Sequence, residues 1–421
     1  MDDWSVDRSE LLDRFRSVRQ LSEDLCEPLE TEDYVVQSMT EASPTRWHLA
    51  HSSWFFERFV LVDQFDADFV DERYDYLFNS YYNAAGPQFS RPDRGLLTRP
   101  TVEEIREYRA RIDSRMSEVL GSAQSLDPDV ARTVEVGLHH EQQHQELMVT
   151  DVKHMFGQNP LHPEVLDVEM EADETAPPLE WVAFDGGLVE IGHDGDGFAF
   201  DNESPRHEVR LEPFELANRP VTCGEFIEFI EDGAYDRPDP WLSDGWQTVQ
   251  EEGWDSPLYW ERDEGEWKIY DYGGLRAVDP AEPLCHVSYY EADAFARWAG
   301  ARLPTEEEWE HAAGRIPVDG RFLDLDRRHP RPAREPEGDR ALLQMFGDVW
   351  EWTASPFTGY PGFEPFEGAI GEYTGKFMCN QMVLRGGSCA TPPSHIRRTY
   401  RNFFYPDARW QFAGLRLARG A

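Results

Sequence analysis

Lysine is almost absent from this sequence, and positive charge of any kind is scarce. The only lysines are Lys153, Lys268 and Lys376, and 40 Lys and Arg residues stand against 82 Asp and Glu residues, which gives a formal net charge of −42. A field of this sign repels nucleic acids and anionic membranes, so the sequence argues against both as partners. Because the acidic residues are spread along the chain, we expect a halophilic protein, in which high salt screens their mutual repulsion.

Cysteines are few and long apolar runs are missing. The five cysteines are scattered and odd in number, so neither a disulfide framework nor a cysteine metal site is expected. No stretch approaches the roughly 20 apolar residues of a membrane span. The start, Met1-Asp2-Asp3-Trp4, lacks the basic and apolar regions of a signal peptide. Together these absences predict a cytoplasmic protein.

What the sequence does contain is a histidine-rich stretch that is typical of a helix, since neither Gly nor Pro occurs in residues 138–156. His140 and His144 are four residues apart, so on a helix their rings share one face and can bind one metal ion. Gln143 flanks them on the same side. The stretch is also a literal HExxH with Glu141 between the histidines, which is the pattern of zinc peptidases. The metal and the chemistry therefore stay open at this point.

The first 157 residues carry the pattern of four helices. Apolar residues recur at helical spacing in the first, and the second follows Ser43-Pro44, where Ser43 is expected to cap it. The third begins at Thr101, with acidic residues in its first turn, and the fourth covers about residues 129–156. We predict an up-and-down bundle over residues 1–157. Such bundles build metal sites from side chains on facing helices.

A long segment without helical pattern, residues 78–95, joins the second and third of these helices. Connections of this length are usually functional or disordered, and the aromatic residues here argue against disorder. Tyr81 and Tyr82 stand near its beginning, and Arg91 and Arg94 near its end. Two arginines together, in a chain so poor in positive charge, favour a role in binding a carboxylate.

The remaining chain changes character. Residues 158–179 contain four prolines around an acidic run and are predicted to form a linker. From residue 180 to residue 421 the sequence shows short strand-like runs, frequent Gly and many Trp, which predicts a second domain. Helices are expected there at residues 221–230, 290–298 and 306–313. Residues 317–340, rich in Arg, Pro and Asp, are predicted to form a surface loop.

Several motifs in this second region are specific. They include Gly347-Asp348-Val349-Trp350-Glu351-Trp352 and Leu384-Arg385-Gly386-Gly387-Ser388. In this order they resemble the formylglycine-generating enzymes (sulfatase-modifying factors), whose irregular α+β fold is related to C-type lectins. The cysteine pair that carries copper chemistry in those enzymes has no counterpart here. The N-terminal region is similar to a DinB-type bundle, so the resemblance implies an α+β protein with a DinB-like four-helix bundle followed by a formylglycine-generating-enzyme-like domain.

The two regions together resemble one family. The motif Arg46-Trp47-His48-Leu49-Ala50-His51, the HxxxHxE pattern of residues 140–146 and the second region are similar to the ergothioneine-type sulfoxide synthases, also called hercynine oxygenases. The resemblance implies an Fe(2+) site formed by His51, His140 and His144. His48 is the competitor for the first position, and Glu146 is expected outside the ligand set. Three neutral imidazoles leave open positions on iron for the reactants.

The resemblance also implies a reaction. The family uses O2 to join a cysteine-type thiol to the imidazole of hercynine (trimethylhistidine) and forms a sulfoxide in ergothioneine biosynthesis. Gln143 and Asn402 are expected to bind the hercynine imidazole. Where the mycobacterial members carry Asn-Trp-Asp to read γ-glutamylcysteine, this sequence has Asn402, Phe403 and Phe404, so Phe404 replaces the acid that would bind the γ-glutamyl amine.

This departure favours free L-cysteine as the thiol. The pair Tyr81-Tyr82 resembles the thermophilic-type enzymes that use L-cysteine. A phenol near the iron can supply a proton that steers the reaction to the sulfoxide and away from thiol dioxygenation. Arg91 and Arg94 match the family's Arg-x-x-Arg, which binds the carboxylate of the thiol substrate.

Other interpretations of the same residues remain. A selenoneine- or ovothiol-type synthase of the same fold would carry similar motifs near the iron. A zinc peptidase would use Glu141 as general base, but the extended motif fails because Leu147 stands where Gly is needed and Thr150 where a third His is needed. A binding module without activity is the third alternative, and the complete set of histidines, tyrosines and arginines argues against it.

Overall fold

We describe a computed structural model of the chain, which covers residues 8–122, 126–168, 175–195, 197–334, 341–372 and 374–421. The chain divides into two compact units. The first comprises Met1–Asn159 together with Pro365–Tyr373, and the second comprises Pro160–Glu364 and Thr374–Ala421. The predicted boundaries at residues 157 and 180 remain predictions, and residues 169–174 of the predicted linker lie outside the described part of the chain.

Among the described residues, the first unit is built mainly from four long helices and one shorter helix, with a further helical turn at Asp63–Phe65. In chain order they are α1 Arg8–Cys26, α2 Thr45–Phe56, α3 Glu72–Phe78, α4 Val102–Gly121 and α5 Pro128–Gly157. Helix α2 continues as a π-helical segment, Glu57–Val62. Helices α1 and α2 each pack against both α4 and α5, so the four long helices enclose one core, as the sequence predicts.

Local sequence explains where these helices begin. Thr101 and Glu104 form a capping box at the start of α4, and the Asp127 side chain accepts from the N–H of Asp129 at the start of α5. The predicted cap of α2 is wrong. Helix α2 begins at Thr45 without a side-chain cap, and the hydroxyl of Ser43 accepts a hydrogen bond from Arg94 instead.

The second unit is organised around four small sheets. In three of them the strand orders are β1-β4-β12, β10-β9-β8-β11 and β5-β6-β7, and β2 pairs with β3 alone. All of these pairings are antiparallel except that of β11 with β8. The strands are β1 Trp181–Phe184, β2 Gly187–Ile191, β3 His207–Leu211, β4 Phe214–Ala217, β5 Trp260–Asp263, β6 Glu266–Asp271, β7 Gly274–Ala277, β8 Trp350–Pro356, β9 Met382–Arg385, β10 Asn402–Phe404, β11 Ala413–Gly414 and β12 Ala418–Gly420.

Helices are more numerous in the second unit than the sequence predicts. The three expected helices are present as α6 Cys223–Glu231, α8 Tyr289–Trp298 and α9 Glu306–Ala313. Between the first two lies α7, Ser243–Glu252, which the sequence analysis missed. Its two Gln and five acidic or hydroxyl-bearing residues leave only a weak apolar stripe, so its periodicity is hard to recognise.

The predicted surface loop over residues 317–340 is also partly wrong. Arg327, Arg328 and His329 are buried, and His329 and Arg327 contact the buried carboxylate of Glu282 at 3.2 Å and 3.5 Å. Charged residues suggested exposure, but here they pair with one another inside the unit. Residues 335–340 lie outside the described part of the chain. Within that part, no helix is long and apolar enough to span a membrane.

Candidate metal centre

Three histidines converge inside the helical unit. One ring nitrogen from each of His51, His140 and His144 lies within 4.8 Å of the other two, and among the described residues this group contains only these three donors. The Nε2 atoms of His51 and His140 are 3.1 Å apart. Two nitrogens that bind one metal at right angles, each about 2.1 Å from it, are separated by about 3.0 Å. The spacing therefore suits a shared metal ion.

Neighbouring aromatic rings hold His51 in place. Its ring stacks on Trp47 at 4.6 Å and on Trp54 at 5.5 Å, which lie four residues before and three residues after it on α2. Its Nδ1 lies 2.5 Å from the carbonyl oxygen of Phe78, to which it donates. Nε2 is thus left without a proton and turned toward His140, as a metal ligand requires.

Burial keeps the three rings neutral. It lowers the pKa of His140 to about 3 and the pKa values of His51 and His144 well below their usual range, and the neighbouring histidines act in the same direction. Neutral imidazole is the form that binds metal, and three such donors fit a divalent transition metal.

Glu141 does not take part in this cluster. Its carboxylate accepts from Arg19 at 3.0 Å, Arg109 at 2.6 Å and Ser22 at 2.6 Å, all on α1 or α4. Burial alone would raise the pKa of Glu141, but these partners outweigh burial and hold it at about 2. A general base needs a lone pair beside the metal-bound water, whereas this carboxylate is committed to the bundle core. The zinc-peptidase interpretation is therefore wrong.

His48, the competitor for the first ligand position, lies outside the converging group. Its Nδ1 is 2.8 Å from Nδ1 of His144, and its Nε2 is 3.1 Å from the carboxylate of Asp151. Glu146, one turn further along α5 from Gln142, is likewise not among the converging donors of the described residues. His51 is thus the α2 histidine that faces the α5 pair.

The two tyrosines occupy different surroundings. Tyr82 is 2 % exposed, and its ring packs on Phe59 at 5.0 Å and, more distantly, on His140 at 6.4 Å. Burial raises its pKa, so the phenol keeps its proton. Tyr81 is partly exposed, has a left-handed backbone with φ of 69°, and accepts a hydrogen bond from Arg91 through its hydroxyl.

The two arginines also differ. Arg94 is 3 % exposed, donates to the hydroxyls of Ser43 at 2.9 Å and Ser80 at 2.8 Å, and lies 3.4 Å above the centre of the Trp47 ring. Burial lowers its pKa to about 9, although the charge of Asp151 acts in the opposite direction, and its Nε has no hydrogen-bond partner among the described residues. Arg91 is half-buried and donates to the carbonyl of Glu41 as well as to Tyr81.

One residue near the tyrosines gave no sequence signal. Glu372 belongs to the segment that completes the helical unit, and its two carboxylate oxygens accept from the main-chain N–H groups of Asn83 at 2.9 Å and Ala84 at 2.8 Å. These groups directly follow Tyr82. Glu372 thus fixes the loop that carries the tyrosines. Because 288 residues separate it from Ala84, no local sequence pattern could have predicted this contact.

The other predicted contacts lie in two places. Gln143 is on α5 between His140 and His144, the two candidate ligands of this helix, and is half-buried. Asn402, Phe403 and Phe404 form β10 in the second unit, where Asn402 accepts from the N–H of Phe403 at 2.9 Å and Phe404 packs on Trp410 at 5.6 Å. Phe403 stacks on Phe357 at 4.0 Å. Their contact with substrate remains a prediction.

Comparison with known proteins agrees with both units. Residues 14–148 match the DinB superfamily, and residues 167–331 and 333–421 match the sulfatase-modifying factor enzyme 1-like domain. The predicted α+β fold class, a DinB-like bundle followed by a formylglycine-generating-enzyme-like domain, is therefore confirmed. A histidine cluster inside a bundle of this type, followed by this second domain, is the arrangement that resemblance to the hercynine oxygenases predicts.

Three relatives specify the family. The hercynine oxygenase of Mycolicibacterium smegmatis is 34% identical over 89% of this chain and 91% of its own, and that of Mycolicibacterium thermoresistibile is 33% identical over 89% and 87%. Ergothioneine biosynthesis protein 1 of Schizosaccharomyces pombe is 28% identical over 53% of this chain and 28% of its own. The chain belongs to the hercynine oxygenase family and is an enzyme.

Proposed function

We propose that this enzyme is an Fe(2+)- and O2-dependent sulfoxide synthase that joins L-cysteine to C2 of the hercynine imidazole. The observation that carries the proposal is the convergence of three neutral histidine nitrogens inside the bundle, with 3.1 Å between two of them. His51, His140 and His144 would hold the iron. Bound Fe(2+) supplies the redox chemistry with dioxygen that C–S bond formation and sulfur oxidation require.

Arg94 supports a substrate that carries a carboxylate. A buried guanidinium without an ion-pair partner among the described residues is unusual in a chain with twice as many acids as bases. Its Nε has no hydrogen-bond partner in that part of the chain. The carboxylate of cysteine would neutralise this charge, and Arg91 would provide a second contact from the same turn.

The remaining predicted residues would orient the substrates and supply a proton. Gln143 and Asn402 would bind the hercynine imidazole, and Phe403 and Phe404 would line the thiol side of the site. Phe404 offers no charge for a γ-glutamyl amine, which favours free L-cysteine over γ-glutamylcysteine. The protonated phenol of Tyr82 would deliver a proton during the reaction with dioxygen.

A thiol-competition assay tests the proposal. Anaerobic enzyme is loaded with Fe(2+), mixed with hercynine and equal amounts of cysteine and γ-glutamylcysteine, and exposed to O2, and the products are identified by mass. We expect hercynylcysteine sulfoxide. Exclusive use of γ-glutamylcysteine would refute the thiol assignment, and formation of cysteine sulfinate alone would refute the synthase activity. Parallel reactions with selenocysteine, and analysis of which imidazole carbon is substituted, separate the selenoneine- and ovothiol-type alternatives.

The extreme negative charge leads to a separate proposal about habitat. We infer that the surface is adapted to high salt, because 82 acidic residues against 40 basic ones repel one another strongly in dilute buffer.

A further inference from the structure

We propose that His48 and Asp151 are positioning residues that fix His144 as an Nε2 ligand and place a negative charge behind it. Asp151, His48 and His144 form a continuous hydrogen-bonded row that ends at the histidine cluster. The proposal rests on the proposed iron site, and it assigns a role to two residues that the proposed reaction does not otherwise use.

The row is short and buried. Oδ2 of Asp151 lies 3.1 Å from Nε2 of His48, and Nδ1 of His48 lies 2.8 Å from Nδ1 of His144. Relative exposures are 6 %, 2 % and 9 % along the row. Water therefore does not compete with these hydrogen bonds, and in the low-dielectric interior each hydrogen bond polarises the next one in the row.

With a carboxylate at one end of the row and two neutral imidazoles, the three groups allow one arrangement of protons. A carboxylate only accepts, so Nε2 of His48 carries a proton and donates it to Asp151. Neutral His48 then has a bare Nδ1, which accepts from His144. His144 therefore carries its proton on Nδ1 and keeps Nε2 bare, and Nε2 is the nitrogen left to face His51 and His140.

The same contacts explain why His48 is not itself a ligand. Both of its ring nitrogens are used within the row, whereas His51 uses only Nδ1 outside the cluster, on the carbonyl of Phe78. The two histidines of the Trp-His-x-x-His motif on α2 thus have different tasks. His51 contributes a donor atom, and His48 orients the donor from α5.

Asp151 supplies the charge. Oδ2 also accepts from the main-chain N–H of Ser43 at 2.9 Å, which fixes the carboxylate. Among the described residues its only ion-pair partner is His48, and Oδ1 has no hydrogen-bond partner there. Arg94 interacts with this carboxylate electrostatically but does not form an ion pair with it, so a further cation at the end of the row would offset the cost of burying the charge. A dication held by three neutral imidazoles is such a cation.

Metal affinity tests the row without relying on turnover. Co(2+) serves as the probe, because it binds without O2 chemistry and its visible spectrum reports ligand geometry. His48→Leu removes both contacts, Asp151→Asn keeps an acceptor oxygen but removes the charge, and His48→Gln can still accept from His144 and donate to Asp151. Loss of a residue that hydrogen-bonds a metal-bound histidine typically lowers metal affinity by roughly 10–100-fold. We therefore expect a loss of affinity in this range for His48→Leu. The loss should be about tenfold for Asp151→Asn and less than about threefold for His48→Gln.

The control is His154→Leu, which removes another buried histidine of α5; this residue hydrogen-bonds Ser38 and lies within electrostatic reach of Asp151. It should bind Co(2+) like the wild type. Thermal unfolding of each apoprotein shows whether a variant is folded, and the graded pair His48→Gln and Asp151→Asn decides the matter if His48→Leu does not fold. Wild-type affinity and spectrum in Asp151→Asn, or equal losses in His48→Leu and His154→Leu, would overturn the proposal. A wild-type protein that binds neither Co(2+) nor Fe(2+) would instead refute the iron site itself.

Discussion

The side chain of His51 is held on three sides, by two groups on its own helix and one 27 residues further along the chain. Trp47 and Trp54 cover the two faces of its ring, and the carbonyl of Phe78 fixes its Nδ1. Arg94 covers the far face of Trp47 at 3.4 Å, so a stack of four planar groups leads from a proposed substrate contact to a proposed ligand. Packing of this kind preorganises the imidazole ring in the orientation that metal binding requires.

The tyrosines give the first prediction. Tyr82→Phe removes a buried, protonated phenol that packs on His140, so we expect the product ratio to shift from the sulfoxide toward cysteine sulfinate by about a hundredfold, the lower end of the usual effect of a general acid. Product masses after single turnovers measure this ratio. The ring is kept, so packing is preserved.

Tyr81→Phe is the matched comparison. The Tyr81 hydroxyl accepts from Arg91, so its loss should act on the arginine and raise KM for cysteine more than it changes the product ratio. If neither variant alters the ratio, the tyrosines have no part in the chemistry.

Single residues also show what sequence can predict. His140 and His144 were predictable as a pair because four residues make one helical turn, and resemblance to the family added His51. The task of Glu141 was not predictable, because its partners Arg19 and Arg109 are 122 and 32 residues away. Only the folded bundle shows that this acid serves the core and not the metal.

At the scale of elements, one face of helix α5 carries the candidate metal ligands and another face packs in the bundle core. His140 and His144 point toward α2, whereas Glu141 and Gln145 contact α1, where Gln145 donates to the carbonyl of Val18 at 2.7 Å. The buried ion pairs of Glu141 anchor the helix that carries two of the three proposed ligands. Removal of one partner of such a pair is costly, which makes the site dependent on the bundle core.

The loop of residues 81–85 gives the second prediction. Glu372→Gln keeps the size of the side chain but leaves one of the two N–H groups of Asn83 and Ala84 without its acceptor. We expect a looser loop and a three- to tenfold lower sulfoxide yield relative to sulfinate, because a positioned proton donor contributes rate only in the correct place. Glu367→Gln, an exposed acid of the same segment, is the control. Equal product ratios in the two variants would show that Glu372 does not act through the loop.

The elements of the first unit were easier to predict than those of the second. Long amphipathic helices with clear start signals, such as Thr101 with Glu104, leave a strong local pattern. In the second unit, strands of two to seven residues and the helix α7 are stabilised by distant partners. The burial of Arg327 and His329 depends on Glu282, more than 40 residues earlier, so composition alone suggested a surface loop.

The turn before β8 gives a third prediction, about pH. Asp348 is 1 % exposed, and burial raises the pKa of its carboxyl from 3.8 to about 6 although Arg331 and Gln344 donate to it. The folded state therefore binds this proton more tightly than the unfolded state. Stability should fall as pH rises from about 4 to about 6, by about 3 kcal/mol from this group.

Asp348→Asn should remove that slope. Asparagine tolerates the left-handed backbone at this position, where φ is 53°. Chemical unfolding of the wild type and the variant at pH 4.5, 5.5 and 7 measures the difference between them, and Asp407→Asn, an exposed acid, is the control. A variant whose stability changes with pH in parallel with the wild type would contradict the assignment.

At the scale of the whole molecule, the main feature is the excess of negative charge. The formal net charge is −42, and some of the arginines form buried ion pairs, such as Arg416 with Glu351 and Arg401 with Glu306. Surface acids are thus left with few partners. The excess of acids is evident from the sequence, and the structure adds that the arginines in buried pairs are not available to neutralise the surface.

Salt should therefore stabilise the protein. In dilute buffer the Debye length is about 10 Å at 0.1 M and spans several surface carboxylates, whereas at 1 M it is about 3 Å and their repulsion is screened. We expect the thermal unfolding midpoint to rise steadily as KCl increases from about 0.1 M to about 2 M, with the steepest part below about 1 M. Sucrose at matched osmolality is the control, because it stabilises by exclusion from the protein surface without screening charge and should give a smaller rise. An equal response to sucrose and KCl would assign the effect to exclusion, and a midpoint that is constant or falls with KCl would contradict adaptation to high salt, since self-repulsion must weaken as the charges are screened.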